Sequence, residues 1–337
     1  MSLLSLPIEL VHLIASLLDR EADINSLAQT NNLNYTRLNG FLYQRNVQVS
    51  ESSALIWAAN HGRKTTADLS LRHGANTDTT CSRLGLTPLC WAAHNGDVPM
   101  AVLLLQNGGA NINARCSDSR RWTPLSFAAA QGNEDMVRLL LADERVDVET
   151  KDSRGLSPAF LAASKGHLAV VKLLLETGRV SANSEGPHGQ TLFSWAARGG
   201  HAAVVTTLLA TGSVVVVNSR DSQFGRTALA WASLHGHETV VRLLVGTKGI
   251  DLNVGDFTDR TPLHLAAWKG HAAVVALLLK SRVDVQPKDD GGLTPLSMAL
   301  RLGHGLVVEL LLQETGEADV NTRGDDSSTL YKEIIEC

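Results

Sequence analysis

Apolar positions in this chain form short helical stripes that come in pairs. In the clearest copy, both stripes lie within residues 262–279. The first stripe contains Leu263, Leu265, Ala266 and Ala267, and the second contains Val274, Val275, Leu277, Leu278 and Leu279. Both follow the spacing of an amphipathic helix. Gly270 separates them and is suited to the positive φ at a helix end. The pattern therefore predicts two short helices joined by a turn.

The same pair of stripes returns along most of the chain, and each copy opens with Thr or Ser. These openings stand near residues 53, 87, 123, 157, 191, 227, 261 and 294, so the period is 33 to 36 residues. Thr or Ser is a good N-cap, and the Pro that often follows is tolerated at the first helical position. No single copy can bury its own apolar face, so the copies are predicted to stack around one continuous core.

The opening motif runs Thr-Pro-Leu-His-Leu-Ala-Ala at residues 261–267 and, with this period, resembles the ankyrin repeat. The resemblance implies an all-α fold, an ankyrin-repeat solenoid of about eight helix–turn–helix repeats over residues 53–326. A partial ninth copy, residues 327–337, would serve as a cap. The resemblance also implies that the chain is a protein–protein interaction module.

Residues 1–47 form a different unit, separated from the repeats by a short polar linker at residues 48–52. Their apolar spacing predicts three short helices. The opening resembles an F-box through Leu6, Pro7, Glu9, Leu10, Ile14 and Leu17. That resemblance implies a small bundle that docks the Skp-type adaptor of cullin–RING ubiquitin ligases. Residues 31–35 depart from the family, which usually carries a Trp in the later part of the motif. A simple helical cap on the first repeat is the alternative.

Composition narrows the class of protein further. The chain is 44% hydrophobic with a formal net charge of −4, which gives no general attraction to nucleic acid or membranes. It has no apolar run of roughly 18 residues and no secretory n-region. The four cysteines lack metal-binding spacing, so we expect free thiols in a reducing compartment. We expect a monomer in the cytosol or nucleus, because both ends of the array look capped.

Motif searches give no sign of an enzyme. The sequence lacks the hydrolase, nucleotide-binding and metalloprotease signatures, so we expect no catalytic residue, cofactor or metal site. Histidines recur at the position after the Gly that ends each first helix, where hydrogen bonds between repeats explain them. Aspartates recur before the motif, where they are expected to cap turns. These residues are His167, His201, His237, His271, His304, Asp152, Asp221, Asp256 and Asp289.

Tryptophans occupy two kinds of position. Trp57, Trp91, Trp195 and Trp231 fill the fifth position of the motif and are predicted to be core residues. Trp122 and Trp268 lie outside the core pattern, just before and just after the motif. Because exposed Trp is a frequent binding anchor, these two positions mark a candidate interface.

The candidate interface combines the turn before each motif with the two positions after each Ala pair, which line the concave face in ankyrin proteins. Basic and aromatic residues predominate at these positions. The predicted partner-binding stripe comprises Arg120, Trp122, Arg154, Lys165, Arg198, Phe224, Arg226, His235, Phe257, Arg260, Trp268, Lys269 and Arg301. It predicts a protein partner that is acidic and carries an apolar anchor. Scattered basic residues at helix ends are the plainer interpretation. Nucleic acid is a weaker candidate.

Two functions fit this sequence. The first is a substrate receptor that holds a target protein on the repeats and joins it to a ubiquitin ligase through the F-box-like segment. The second is an ankyrin scaffold or inhibitor in which residues 1–47 only cap the stack.

Overall fold

Helices account for all the regular structure in the described part of the chain. The structure is a computed structural model that describes residues 44, 46, 53–81, 84–107, 109–211 and 216–315. These ranges contain sixteen α-helices, one 3-10 turn at Pro187–Gly189 and no β-strand beyond a single bridge between Glu185 and Thr191. Only positions 44 and 46 of the predicted bundle at residues 1–47 are described. The predicted linker at residues 48–52 and the predicted terminal cap at residues 327–337 lie outside the described residues.

The chain divides into two compact units, residues 1–153 and 154–337. The described helices of the first unit are α1 Ser53–Asn60, α2 Lys64–Arg72, α3 Pro88–Asn95, α4 Val98–Asn107, α5 Pro124–Gln131 and α6 Glu134–Leu141. Those of the second unit are α7 Pro158–Lys165, α8 Leu168–Glu176, α9 Leu192–Arg198, α10 Ala202–Ala210, α11 Ala228–Leu234, α12 Glu238–Val245, α13 Pro262–Lys269, α14 Ala272–Leu279, α15 Pro295–Leu302 and α16 Gly305–Thr315.

Each unit is a stack of helix pairs arranged in two layers. Within the first unit, α1 packs on α3 and α3 on α5, while α2 packs on α4 and α4 on α6. The second unit repeats this arrangement, with its odd-numbered helices in one layer and its even-numbered helices in the other. The predicted α-solenoid architecture is therefore present in both units.

The predicted Thr or Ser stands at the N-cap of the first helix in every described pair except the first, where Ser53 is the first residue of α1. Thr87 accepts a hydrogen bond from the amide of Cys90 at 3.2 Å, and Thr123, Thr191, Thr227, Thr261 and Thr294 make the equivalent bond. Ser157 is the exception, since it is an N-cap whose buried hydroxyl has no partner. Because the caps recur at the predicted positions, the helix starts follow directly from the motif.

Contacts between repeats explain why Gly followed by His recurs at the end of the first helices. Gly270 ends α13 with a φ of +73°, and a Cβ added there would lie 2.7 Å from Nδ1 of His304. The Nε2 atom of His304 lies 3.1 Å from the carbonyl oxygen of Trp268, one repeat earlier. His201, His237 and His271 make the same contact at 3.0, 2.9 and 3.1 Å. The predicted inter-repeat hydrogen bonds are thus confirmed at these four histidines.

Fewer residues of the second helices are buried in the core than the sequence predicts. The Ala pairs of the first helices are fully buried, as are Val170, Val171 and Leu174 of α8. Leu175, Leu277 and Leu279 are only partly buried, although Leu277 and Leu279 were assigned to the apolar stripe and Leu175 is the equivalent of Leu279 in α8. The second helix of each pair packs through one side against the first helix and the adjacent second helices. Residues at the edges of its apolar stripe therefore remain in contact with solvent.

The prediction that four tryptophans are core residues is confirmed only for Trp231. Trp57 is 50% exposed and stacks on His61, and Trp91 and Trp195 are partly buried. The same motif position holds fully buried residues where the side chain is smaller, as at Leu265. Trp231 is only 3% exposed at this same position, so the volume available there differs from one repeat to the next.

Partners of the indole nitrogens differ between repeats. Nε1 of Trp231 donates to Oδ2 of Asp221 at 2.9 Å, whereas the buried Nε1 of Trp91 has no partner. Cys81 occupies in its loop the place of Asp221, because both make the same pair of backbone hydrogen bonds across the turn. The earlier repeat therefore lacks the carboxylate that would accept from its tryptophan.

Three of the four cysteines lie in the described residues, and all three are free thiols, as expected. Burial raises the pKa of Cys90 to about 11. Burial, and then a hydrogen bond from its thiol to Asp118, raise the pKa of Cys116 to about 12. Both therefore remain protonated and unreactive at neutral pH.

Candidate protein-binding surface

In three repeats of the second unit, a buried aspartate organises the loop before the first helix. In the second unit, Asp256 accepts hydrogen bonds from the amide and hydroxyl of Thr258 at 2.9 and 2.7 Å, and from the amide of Arg260 at 3.2 Å. Asp221 and Asp289 bond their own loops in the same way. The predicted turn-capping role of these aspartates is confirmed, and their loops are therefore held rigidly.

The residue just before the capping threonine reaches the aspartate of the following repeat. Nε of Arg226 donates to Asp256 at 3.1 Å, and Nε of Arg260 donates to Asp289 at 3.3 Å. The Arg226 side chain is only 11% exposed. Its charge is therefore neutralised within the fold, and Arg226 acts mainly as a link between neighbouring repeats.

Burial would raise the pKa of the Asp256 carboxyl, but hydrogen bonds from Thr258, Arg226 and Arg260 outweigh it and lower the pKa. The carboxylate is thus stabilised in its ionised form, the form that pairs with Arg226.

In the first unit, the predicted residues Arg120 and Trp122 contact each other. The Arg120 guanidinium lies 4.8 Å from the Trp122 ring centroid and forms an ion pair with Asp118 at 2.8 Å. Nε1 of Trp122 donates to Asp152 at 3.1 Å. Because the indole is partly buried and hydrogen-bonded, Trp122 serves as a link between repeats as well as a surface residue.

In the second unit, a cationic cluster surrounds the buried ring of Trp231. The guanidinium of Arg198 lies 4.3 Å from this ring and that of Arg226 lies 4.9 Å from it. His235 stacks on the same ring with an interplanar angle of 8°. Partial burial, followed by the charge of Arg198, lowers the pKa of His235. Because Asp256 compensates the charge of Arg226, Arg198 is the main positive charge beside this ring.

Phe224 and Phe257 lie on neighbouring loop tips of the second unit and expose large aromatic surfaces. Phe224 is 39% exposed and Phe257 is 57% exposed. Arg220 lies 5.4 Å from the Phe257 ring, and Arg226 lies 4.7 Å from the Phe224 ring. Exposed aromatics on rigid loops lose little entropy on binding, which favours them as contact residues for a protein.

The last part of the predicted stripe surrounds Trp268, which is partly buried at the end of α13. Arg260 and Lys269 both lie over its ring, at 5.6 and 4.3 Å from the centroid. Arg301 lies near it at the end of α15. The structure thus brings Arg260, Trp268 and Lys269 together as one group.

The remaining predicted residues are dispersed. Arg154 and Lys165 are exposed in the first repeat of the second unit. The six residues assigned to adaptor binding, Leu6, Pro7, Glu9, Leu10, Ile14 and Leu17, lie outside the described residues.

Sequence reasoning missed two features of this surface. The ion pairs to Asp256 and Asp289 were not expected, although the repeated Arg-Thr and Asp positions were a usable signal. Leu302 and Met298 were also missed, although Leu302 occupies one of the two positions after the Ala pair of its repeat.

Aromatic and basic side chains predominate at these sites. Among the described residues, no group of three His, Cys, Asp or Glu side chains is placed to hold a metal ion. No described helix is both long and apolar enough to cross a membrane.

Comparison with known families gives consistent matches along the chain. A family model described as ankyrin repeats, three copies, matches residues 12–116, 55–152, 113–185, 160–256 and 254–324. Together these stretches span most of the chain.

Curated relatives are similar over short segments only. The ankyrin repeat and KH domain-containing protein mask-1 of Caenorhabditis elegans is 35% identical over 106 residues, which is 31% of this chain and 4% of that protein. The Drosophila melanogaster protein mask is 35% identical over 31% of this chain and 3% of its own length. The 26S proteasome non-ATPase regulatory subunit 10 of Dictyostelium discoideum is 42% identical over 16% of this chain and 23% of its own length. The chain therefore spans a small fraction of these relatives.

Proposed function

Because this chain belongs to the ankyrin-repeat family, we propose that it is a receptor joining a target protein to the Skp-type adaptor of a cullin–RING ubiquitin ligase. Ankyrin repeats are protein–protein interaction modules, so binding of a protein partner is the general part of this function. The specific part rests on the F-box-like motif that begins at Leu6 and Pro7.

The observation that carries target binding is the exposed aromatic surface of the second unit. Phe224 and Phe257 lie on loops that buried aspartates hold rigidly, and Trp268 lies at the end of α13; an arginine contacts each of the three rings. Phe224 and Phe257 are exposed, so contact with a partner best explains their placement. The target therefore binds this unit, and the adaptor binds the N-terminal segment.

A second function is favoured by one contact at the start of the array. Asn46 is 6% exposed, its side-chain amide donates to the Ser53 hydroxyl at 2.8 Å, and it accepts from the amide of Ala54 at 3.0 Å. Asn46 therefore caps α1, which is how a purely structural N-terminal cap would behave. In that case the protein is an ankyrin scaffold or inhibitor with no link to a ligase.

Titration with a purified Skp-type adaptor distinguishes the two functions. We expect the intact chain to bind the adaptor at micromolar concentration, and the double variant Pro7→Ala, Ile14→Asp to lose binding by more than about tenfold, because the acidic side chain disrupts an apolar contact. Isothermal titration calorimetry measures the affinity, and circular dichroism checks that the fold is retained.

The control is Trp268→Ala, which alters the target surface and should leave adaptor affinity unchanged. Absence of binding by the intact chain at tens of micromolar would rule out the receptor function and leave the scaffold.

A further inference from the structure

A cavity of about 280 Å³ opens between the last two described repeats of the second unit. Its lining residues are Arg260, Trp268, Leu293, Met298, Arg301 and Leu302. Four of these six are apolar or aromatic, two are arginines, and none is acidic. A concave site with apolar walls and a few charged groups at one side is a typical ligand-binding arrangement.

The apolar side of this pocket has a fixed wall and an exposed edge. Trp268 packs against the buried cluster of Ala230, Trp231, Leu234 and Leu265, so its indole is held in place. Leu302 is 49% exposed and also lines the pocket. A bulky apolar side chain seated between them would cover the exposed leucine and the free part of the indole, which favours binding.

The charged side of the pocket is positive. Arg260 is neutralised in part by Asp289, at 3.3 Å. Nζ of Lys269 lies 4.3 Å from the centroid of the Trp268 ring. Neither Lys269 nor Arg301 has an ion-pair partner among the described residues. A cationic or neutral ligand would leave these two charges uncompensated, whereas an acidic one would pair with them.

Two acidic residues at the loop tips beside the pocket determine in which orientation an acidic ligand would bind. Asp259 and Asp290 lie on adjacent loops, since the amide of Asp290 donates to the carbonyl oxygen of Thr258 at 3.1 Å, and a hydrogen bond with Asp259 raises the pKa of Asp290. Carboxylates of a ligand would be repelled at this end. They are accommodated in the last turns of α13 and α15, where Lys269 and Arg301 lie.

We propose that this pocket recognises an extended acidic segment of the target protein, inserting one bulky apolar side chain and placing neighbouring carboxylates on Lys269 and Arg301. The inference rests on the proposed function, since it names the chemistry of the target that the repeats hold. Its specificity comes from two requirements met together, an apolar anchor and adjacent negative charge.

A random dodecapeptide phage-display library, selected on the full chain, tests this proposal. The enriched peptides should place Leu, Phe or Trp within two positions of Asp or Glu. For a synthetic copy of one such peptide, Trp268→Ala should weaken binding on the order of thirtyfold, as loss of an anchor. Arg301→Glu should weaken it on the order of tenfold at low salt, with a smaller effect at high salt.

Two matched variants serve as controls. Lys172→Glu reverses an exposed charge in α8, and Leu306→Ala truncates a leucine that is 71% exposed in α16, so both should bind the peptide as the wild type does. Arg301 is exposed, so Arg301→Glu keeps the test valid even if Trp268→Ala destabilises the fold.

Two outcomes would overturn the proposal: enriched peptides that lack acidic residues, or enriched peptides whose affinity is unchanged by both pocket variants. Adaptor affinity, measured separately, shows whether the receptor function fails as well. A chain that binds the adaptor but selects no acidic peptide contradicts only the pocket assignment.

Discussion

Asp256→Ala is expected to lower the free energy of unfolding by about 3–5 kcal/mol, because it leaves the Arg226 guanidinium buried without its counter-charge. The same change removes the acceptor for the Thr258 and Arg260 amides, so the loop loses its internal hydrogen bonds. Urea unfolding followed by circular dichroism at pH 7 measures the loss.

Asp284→Ala is the matched control, since Asp284 is exposed and caps its turn with one bond to the Gln286 amide at 3.1 Å. It should cost no more than about 1 kcal/mol. A second check is Arg226→Met combined with Asp256→Ala, which should cost less than the two single changes together. Equal losses for Asp256→Ala and Asp284→Ala would contradict the assigned ion pair.

The effect of Asp256 should also depend on pH. Its pKa is lower in the folded chain than in the unfolded chain, so its contribution is fully present above the unfolded value. The difference between wild type and Asp256→Ala should therefore shrink as the pH falls below about 4.

Leu174→Ala is expected to cost about 2–5 kcal/mol, since it creates a cavity in a second helix whose core side is fully buried. Each repeat depends on its neighbours, so the loss spreads to the packing of α8 on α10. Leu306→Ala provides the comparison, because that leucine is 71% exposed and should change stability by about 0.5 kcal/mol or less. Similar losses at both positions in a urea titration would show that Leu174 is not a core residue.

The repeat architecture could be predicted because each of its determinants is local. The N-cap hydroxyl of Thr261, the glycine at position 270 and the Ala pair all act within one helix. The histidine contacts could be predicted as well, because a residue that recurs once per repeat must face the same neighbour each time. The fold therefore follows from a period and a few residue types.

The binding surface was harder to predict because its charges depend on contacts between repeats. Arg226 and Asp256 are 30 positions apart, and only the stacking of two loops places them 3.1 Å from each other. Counted along the sequence, Arg226 adds positive charge to the predicted stripe. In the structure its charge is compensated, so the unpaired charge on this side of the second unit comes from residues such as Lys269 and Arg301.

The other difference concerns how deeply the fifth motif position is buried. The position of a residue in the motif predicts whether its side chain faces the core. It does not predict how large a side chain the core can accommodate at that position. Leu265 fits its pocket completely, whereas Trp57 at the same motif position is half exposed. Burial at this position therefore depends on packing against the neighbouring repeat, which the motif alone does not contain.

The central claim is that one chain joins two different proteins through separate sites. It is tested most directly by affinity capture from cells with quantitative mass spectrometry. The intact chain is compared with two double variants, the first carrying Pro7→Ala and Ile14→Asp and the second carrying Trp268→Ala and Arg301→Glu. The account predicts that the first variant loses the Skp-type adaptor and cullin but retains the target. It predicts that the second loses the target but retains the adaptor and cullin. If the intact chain captures no adaptor, or if both variants lose the same proteins, the claim is contradicted.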